Sequence, residues 1–193
     1  ELPGAYFGTL AGGQLAKAYF TGKQGQRIVA DVELRRLGGK AQPVMELKSA
    51  SGSPLHIVWG QSTLQGDARL EATLPADGLY YVELHDLAYR APASSFRLKL
   101  GDLQFADLAF PLAMNTAHPL AAIQPVGTGT ATAAALPIAG LTTQQPIAIV
   151  PFSGESGITG PWPLVRLSEG NEIVEGPRTD AAPQKIEVAA SVQ

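Results

Sequence analysis

Three histidines, His56, His85 and His118, with the neighbouring acids Glu83 and Asp86, are the groups from which covalent chemistry would have to start in this 193-residue chain. Nucleophilic hydrolysis needs a hydroxyl or thiol, a general base and an orienting carboxylate within hydrogen-bond reach. His85 stands beside Asp86, but neighbours on a strand point to opposite faces, so adjacency does not make a dyad. His85 reads as a solvent-facing or edge histidine, and His118, followed by Pro119, as a loop residue. An enzyme would require His56, His85, Asp86 and Glu83 to converge in a cleft; the expectation is that there is no catalytic residue and that the chain is not an enzyme.

Metal chemistry has little more to build on. Zinc takes three or four close ligands, and three scattered histidines without any cysteine do not supply them. Calcium gathers carboxylate and carbonyl oxygens. Asp67, Asp77 and Asp86 are the candidates, yet Asp77 reads as a turn residue and Asp86 as a strand-end residue bonded to local amides. No metal site and no cofactor is assigned, and calcium is disfavoured. Glycines near hydroxyls at residues 10–13 and 128–132 lack the lysine and the strand–loop–helix setting of a phosphate loop, and read as turns.

The aromatic residues carry the remaining chemistry. Tyr80, Phe96 and Phe20 are expected in a core, with Trp59 capping its edge. Tyr81, Tyr89 and Trp162 are expected at the surface, where aromatic rings stack on sugars or anchor a protein partner, aided by Arg90 or Arg69. The candidate ligand-binding set is therefore Tyr81, Tyr89, Arg90 and Trp162.

The elements that position these residues centre on residues 74–89, LPADGLYYVELHDLAY. Pro75, Ala76, Asp77 and Gly78 read as a tight turn. Beyond it, Tyr80, Val82 and Leu84 alternate with Tyr81, Glu83 and His85, the period of a half-buried strand. Residues 67–74 alternate Ala68, Leu70, Ala72 and Leu74 against Arg69, Glu71 and Thr73, and residues 95–100 place Phe96, Leu98 and Leu100 on one side. These three strands are expected to form a meander, the first two paired across the turn and all covered by a second layer.

Earlier in the chain, strands are expected at 2–10, 14–20, 27–34, 43–48 and 55–59. Ile28, Ala30, Val32 and Leu34 form the cleanest apolar stripe, and Val44 with either Met45 or Leu47 is expected to point inward. With 21 Gly, 15 Pro and a net charge of −3, the composition suits many short strands joined by turns. No basic block is present for a nucleic-acid groove, and no run approaches the roughly 20 apolar residues that span a bilayer as a helix. Past Gly101 charges thin out, and Leu120, Ile123, Val126, Leu136, Ile138, Leu141, Ile147, Ile149 and Val150 recur between turn residues, as expected of a second small β domain. A connector at 171–182 and a terminal strand at 185–192 complete the reading, the strand pairing back or opening a further repeat. The start at Glu1 without a methionine is expected of a processed or excised piece.

Gly25, Gln26, the strand 27–34, Arg36, Leu37, Gly38, Pro43, Val44, Leu47, Gly52, the strand 67–70, Pro75–Gly78, Tyr80, Val82, Asp86, Tyr89, Arg90, Phe96, Leu98 and Gly101 together resemble the bacterial pre-peptidase C-terminal domain. The resemblance is to the version repeated in large exported proteins of planctomycete-like bacteria, and covers residues 1–102. Ala109–Leu112 and 161–167 are similar to the opening and close of the Ig-like segment that often follows. The resemblance implies an all-β chain: a jelly-roll-type β-sandwich at 1–102, a small Ig-like β-sandwich at 103–170, and a connector with terminal strand at 171–193. It also implies a non-catalytic structural or adhesion module of a secreted, periplasmic or cell-surface protein. Its partners would be other domains of the parent chain and extracellular polysaccharide or protein, the alternatives being a carbohydrate- or matrix-binding module or the targeting domain of a secreted peptidase. Some relatives hold calcium through an acidic segment where this chain has GGQLAKAYF at 12–20, with Lys17 in place of acids.

Overall fold

The computed structural model describes residues 1–115, 123–130, 134–135, 147–153 and 159–168. The chain divides into two compact units, Glu1–Leu103 and Gln104–Gln193. His118, Leu120, Leu136, Ile138, Leu141, and the expected connector and terminal strand at 171–193 lie outside the described residues.

The first unit is built from two four-stranded antiparallel sheets packed as a sandwich. One contains β1 (Gly4–Gly12), β8 (Ala91–Gly101), β3 (Arg27–Glu33) and β6 (Arg69–Thr73), in that spatial order. The other contains β2 (Ala16–Gly22), β7 (Gly78–Asp86), β4 (Pro43–Ser49) and β5 (Pro54–Trp59), also in order. The inward stripes are those of the alternation: Ile28, Ala30 and Val32 from β3, Leu70 from β6, Phe96, Leu98 and Leu100 from β8 face Tyr80, Val82 and Leu84 of β7 across one buried core. Burying side chains of this size contributes about 1.5–3 kcal/mol each.

The expected meander is overturned. β6 pairs with β3, β7 with β2 and β4, and β8 with β1 and β3, so three consecutive strands alternate between the two sheets. The residues read as a hairpin turn form an arch from one sheet to the other. Leu74 stays bonded to the first sheet through its amide to Gln26 and its carbonyl from Gly25, while the Tyr80 hydroxyl donates to the Ala76 carbonyl at 2.7 Å. Alternation sets which side of a strand meets the core, and both a hairpin and an arch satisfy it.

Two inward assignments also change. Met45 and Leu47 both enter the core, as residues two apart on a strand must, and Val44 is buried on the opposite face. Trp59, expected at the core edge, is 53% exposed because β5 is the outermost strand and its register puts Trp59 beside Val44, on the outer face.

A buried ion-pair cluster ties the 34–39 crossover to the segment before β6. Asp67, fully buried, accepts from the amides of Leu34 (2.9 Å), Arg35 (2.7 Å) and Arg36 (3.1 Å) and from Arg36 Nε (2.7 Å). Asp31, also fully buried, takes Arg69 Nε at 2.9 Å and Arg36 Nη2 at 3.2 Å. Buried charges persist when paired and hydrogen-bonded in this way. Arg69 is thereby held inside and does not present its guanidinium to a surface ligand, contrary to the expectation above.

In the second unit, β9 (Leu108–Phe110) pairs antiparallel with β11 (Gln124–Val126), and β12 (Ala134–Ala135) with β14 (Phe152–Ser153). The five-residue β15 (Leu164–Ser168) lies between β10 (Ala113–Asn115), to which it is parallel, and β13 (Ile147–Ile149), to which it is antiparallel. Ala109, Met114, Ile123, Ala148, Val150, Phe152, Val165 and Leu167 make its core, while Ile147 and Ile149 face outward with Val126 exposed.

Candidate functional site

The outer face of the second sheet gathers the chemistry of the first unit. Residues opposite one another on neighbouring strands share a face, so the register resolves this one into rows. Trp59, Val44 and His85 form the first; Ile57, Glu46, Glu83 and Lys17 the second; Lys48, Tyr81 and Tyr19 the third. Each row is about 7 Å from the next along the strands. The result is a charged centre between an apolar edge on β5 and an aromatic edge on β2.

Glu83 is the hub. Lys48 Nζ reaches its carboxylate at 2.7 Å and Lys17 Nζ at 3.1 Å, and Lys48 also meets Glu46 at 3.1 Å. Burial alone would push the Glu83 carboxyl up, but the hydrogen bonds from Lys48 and Lys17 outweigh it and hold the group below its ordinary range. The same bonds raise both lysines against their own desolvation. Two lysines and two glutamates meet here, and their formal charges balance in place.

Around this centre stand the rings. Tyr19 is 59% exposed and packs against Tyr81 with centroids 5.0 Å apart, and Lys17 Nζ sits 5.1 Å from the Tyr81 ring centroid. Tyr89 is 51% exposed and lies flat on His85, centroids 4.6 Å apart and planes 6° from parallel. The carbonyl of Asp86 can only accept, so its 3.1 Å contact with His85 Nδ1 places the proton there. Nε2 lies 3.4 Å from the Tyr89 hydroxyl and 3.4 Å from Glu46 Oε1.

Tyr89 is presented by a loop that Asp86 closes. The Asp86 carboxylate accepts from the amides of Gln42 (2.8 Å), Ala88 (3.2 Å) and Arg90 (3.1 Å), and these bonds depress its pKa although burial opposes them. Within the loop Tyr89 takes a left-handed backbone, φ 56°, a conformation side-chain-bearing residues seldom adopt. The bonds on either side hold it.

Of the four residues the sequence singled out, Tyr89 and Arg90 are exposed in this loop, beside His85 in the chain's own path. Tyr81 is a correction: it is 7% exposed, because β7 is a central strand and side chains from β2 and β4 cover its outer face. His85 is corrected for the same reason, being buried rather than solvent-facing. Trp162 belongs to the second unit and is 47% exposed between Pro161 and Pro163.

Sequence reasoning missed Tyr19, Ile57, Glu46, Lys48 and the outward side of Trp59. The signal was there in part: Lys17 and Tyr19 alternate with Ala18 and Phe20, and Glu46 and Lys48 with Met45 and Leu47. Which strands stand next to each other was not.

No catalytic arrangement is assembled from the candidate groups. The Asp86 carboxylate is turned to backbone amides and not to His85, whose ring meets the Asp86 carbonyl, Tyr89 and Glu46, and His56 is exposed on β5. Among the described residues no group of three or more His, Asp or Glu is placed to hold a metal ion. Asp67 is engaged by Arg36 and three amides, Asp77 accepts from the Gln24 amide at 2.7 Å, and Asp86 holds its loop. Among the described residues no helix is long and apolar enough to cross a membrane.

No family model matches the chain, and no curated protein matches it. Among solved structures, the periplasmic lysozyme inhibitor PliG of Aeromonas hydrophila, an inhibitor of g-type lysozyme, is 16% identical, with 50% of this chain and 84% of that one covered and a TM-score of 0.38. The Yersinia pseudotuberculosis-derived mitogen is 14% identical over 52% and 86%, TM-score 0.40. The pre-peptidase C-terminal domain of a collagenase from Bacillus anthracis is 17% identical over 51% and 89%, TM-score 0.38.

Proposed function

We propose that this chain is a non-catalytic adhesion module of an exported multidomain protein, and that it attaches to extracellular polymer through the outer face of β2, β7, β4 and β5. One observation carries the reading: Tyr19, Ile57 and Trp59 are exposed on a single sheet face, with Tyr89 of the adjoining loop stacked on His85 of that face, around a fixed Lys17–Glu83–Lys48–Glu46 centre. Exposed aromatic anchors beside a few fixed polar groups are what binding surfaces are made of. The spatial orders 1-8-3-6 and 2-7-4-5 support the jelly-roll form of the sandwich. The resemblance of residues 1–102 to the pre-peptidase C-terminal domain supports a secreted, periplasmic or cell-surface setting, with an Ig-like second unit.

The test is binding of the purified chain to an array of polysaccharides and extracellular-matrix proteins, with and without calcium. Saturable binding that weakens tenfold or more in both Trp59→Ala and Tyr89→Ala is expected, since each ring is half exposed and its removal leaves the core intact. An array blank in both conditions refutes attachment and leaves a spacer.

A further inference from the structure

The charges on the outer face restrict what it can hold. Lys17 and Lys48 contribute two positive charges, Glu46 and Glu83 two negative ones, and all four are joined in one chain of contacts at 2.7–3.1 Å. The centre of the face therefore has no net formal charge to offer, and its hub is desolvated: the Glu83 side chain is 8% exposed. A strongly anionic or cationic ligand would meet one repelling partner for each attracting one, and would have to break pairs already made.

What remains available is neutral chemistry. Glu46 and Lys48, each nearly a fifth exposed, stand 3.1 Å apart one strand in from Ile57 and Trp59. A pair of neighbouring hydroxyls fits such a couple, one donating to the carboxylate and the other accepting from the ammonium, without displacing either charge. The exposed rings offer flat apolar surfaces alongside. Trp59 on β5 and His85 on β7 share a row two strands apart, about 10 Å, and Tyr89 covers His85. Tyr19 extends the platform to β2.

We infer that the ligand of this face is an uncharged, extended polysaccharide, its sugar rings lying on Trp59, Tyr89 and Tyr19 and its hydroxyls engaging the Glu46–Lys48 couple. The inference rests on the attachment reading above and names the class of polymer for it. Arg90, exposed next to Tyr89 in the chain, is the nearby cation that would favour the opposite result.

The experiment measures the intact 193-residue chain against soluble neutral polysaccharides (a β-glucan, a xylan and a mannan), anionic ones (alginate and heparin) and a collagen, each at low and at 0.5 M sodium chloride. Binding to at least one neutral polymer, changing less than twofold between the two salt levels and falling tenfold in Trp59→Ala, is expected. Glu46→Gln keeps the shape and unbalances the charge; it should weaken neutral binding severalfold while leaving the thermal midpoint of the fold within a few degrees. Binding confined to alginate or heparin, weakened tenfold by salt and lost in Arg90→Ala, would overturn the inference and leave attachment standing. Binding confined to collagen would do the same. Binding to none of the panel overturns the inference, and attachment itself falls if the wider array is blank too.

Discussion

Replacing Asp67 by Asn removes one charge from a buried ion pair of the first unit and changes the side-chain volume hardly at all. Asp67 offers two oxygens to four donors: Leu34 and Arg35 amides on one, the Arg36 amide and Nε on the other. An amide in its place turns one acceptor into a donor, so whichever way it is set, two N–H groups face another N–H. Removing one member of a buried pair costs about 3–5 kcal/mol. Arg36 keeps Asp31 and the Val32 carbonyl, and its side chain is one-fifth exposed, which places the expected loss at the low end, about 3 kcal/mol. With a urea slope of about 2 kcal/mol per molar, the midpoint falls by about 1.5 M. The readout is tryptophan fluorescence in a Trp162→Phe background, where Trp59 is the one tryptophan left and reports the first unit alone. A double-mutant cycle with Arg36→Met should return a coupling of about 2 kcal/mol. A midpoint shift below about 0.5 M, with no coupling, would refute the claim that this cluster pins the crossover to β6.

Acid should destabilise the first unit through Glu83 and Asp86. Both are lowered in the fold from ordinary values of 4.5 and 3.8, so their contribution is complete above about pH 4.5 and is lost as pH falls through the folded values; Glu83→Gln should flatten that limb in a pH series of denaturation midpoints. The raised Lys48 works in the opposite sense, its contribution present below 10.5 and lost as pH rises beyond it. Gly60→Ala should cost about 1–3 kcal/mol in the same denaturation assay, because a Cβ there would stand 2.4 Å from the Gly66 carbonyl oxygen, a backbone atom with nowhere to go; an unchanged midpoint would show that the 60–66 loop gives way.

The strands of the first unit were legible because each carries its own evidence. In β3 the alternation of Ile28, Ala30 and Val32 with Val29 and Asp31 is a property of neighbouring residues, and it marks the inward face without reference to any other strand. The exposure of Tyr89 was legible for a similar reason: it ends a strand and enters a loop. Tyr81, Glu83 and His85 were misjudged because alternation says that they face away from the core, and nothing local says whether that outer face is covered.

From the sequence by itself follow the all-β character, the approximate bounds of the strands, the inward stripe of β3, β6, β7 and β8, and the lack of any cysteine chemistry. These depend on residue type and on the two-residue period of a strand. Only the tertiary structure decides that residues 74–77 arch between sheets, that β7 lies between β2 and β4, and that Lys17 and Lys48 close on Glu83 from two sides. Such pairings join residues 35 and 66 positions apart, and the local pattern is the same whichever partner a strand takes. The face that holds Trp59, Tyr89 and Tyr19 together exists only once that choice is made.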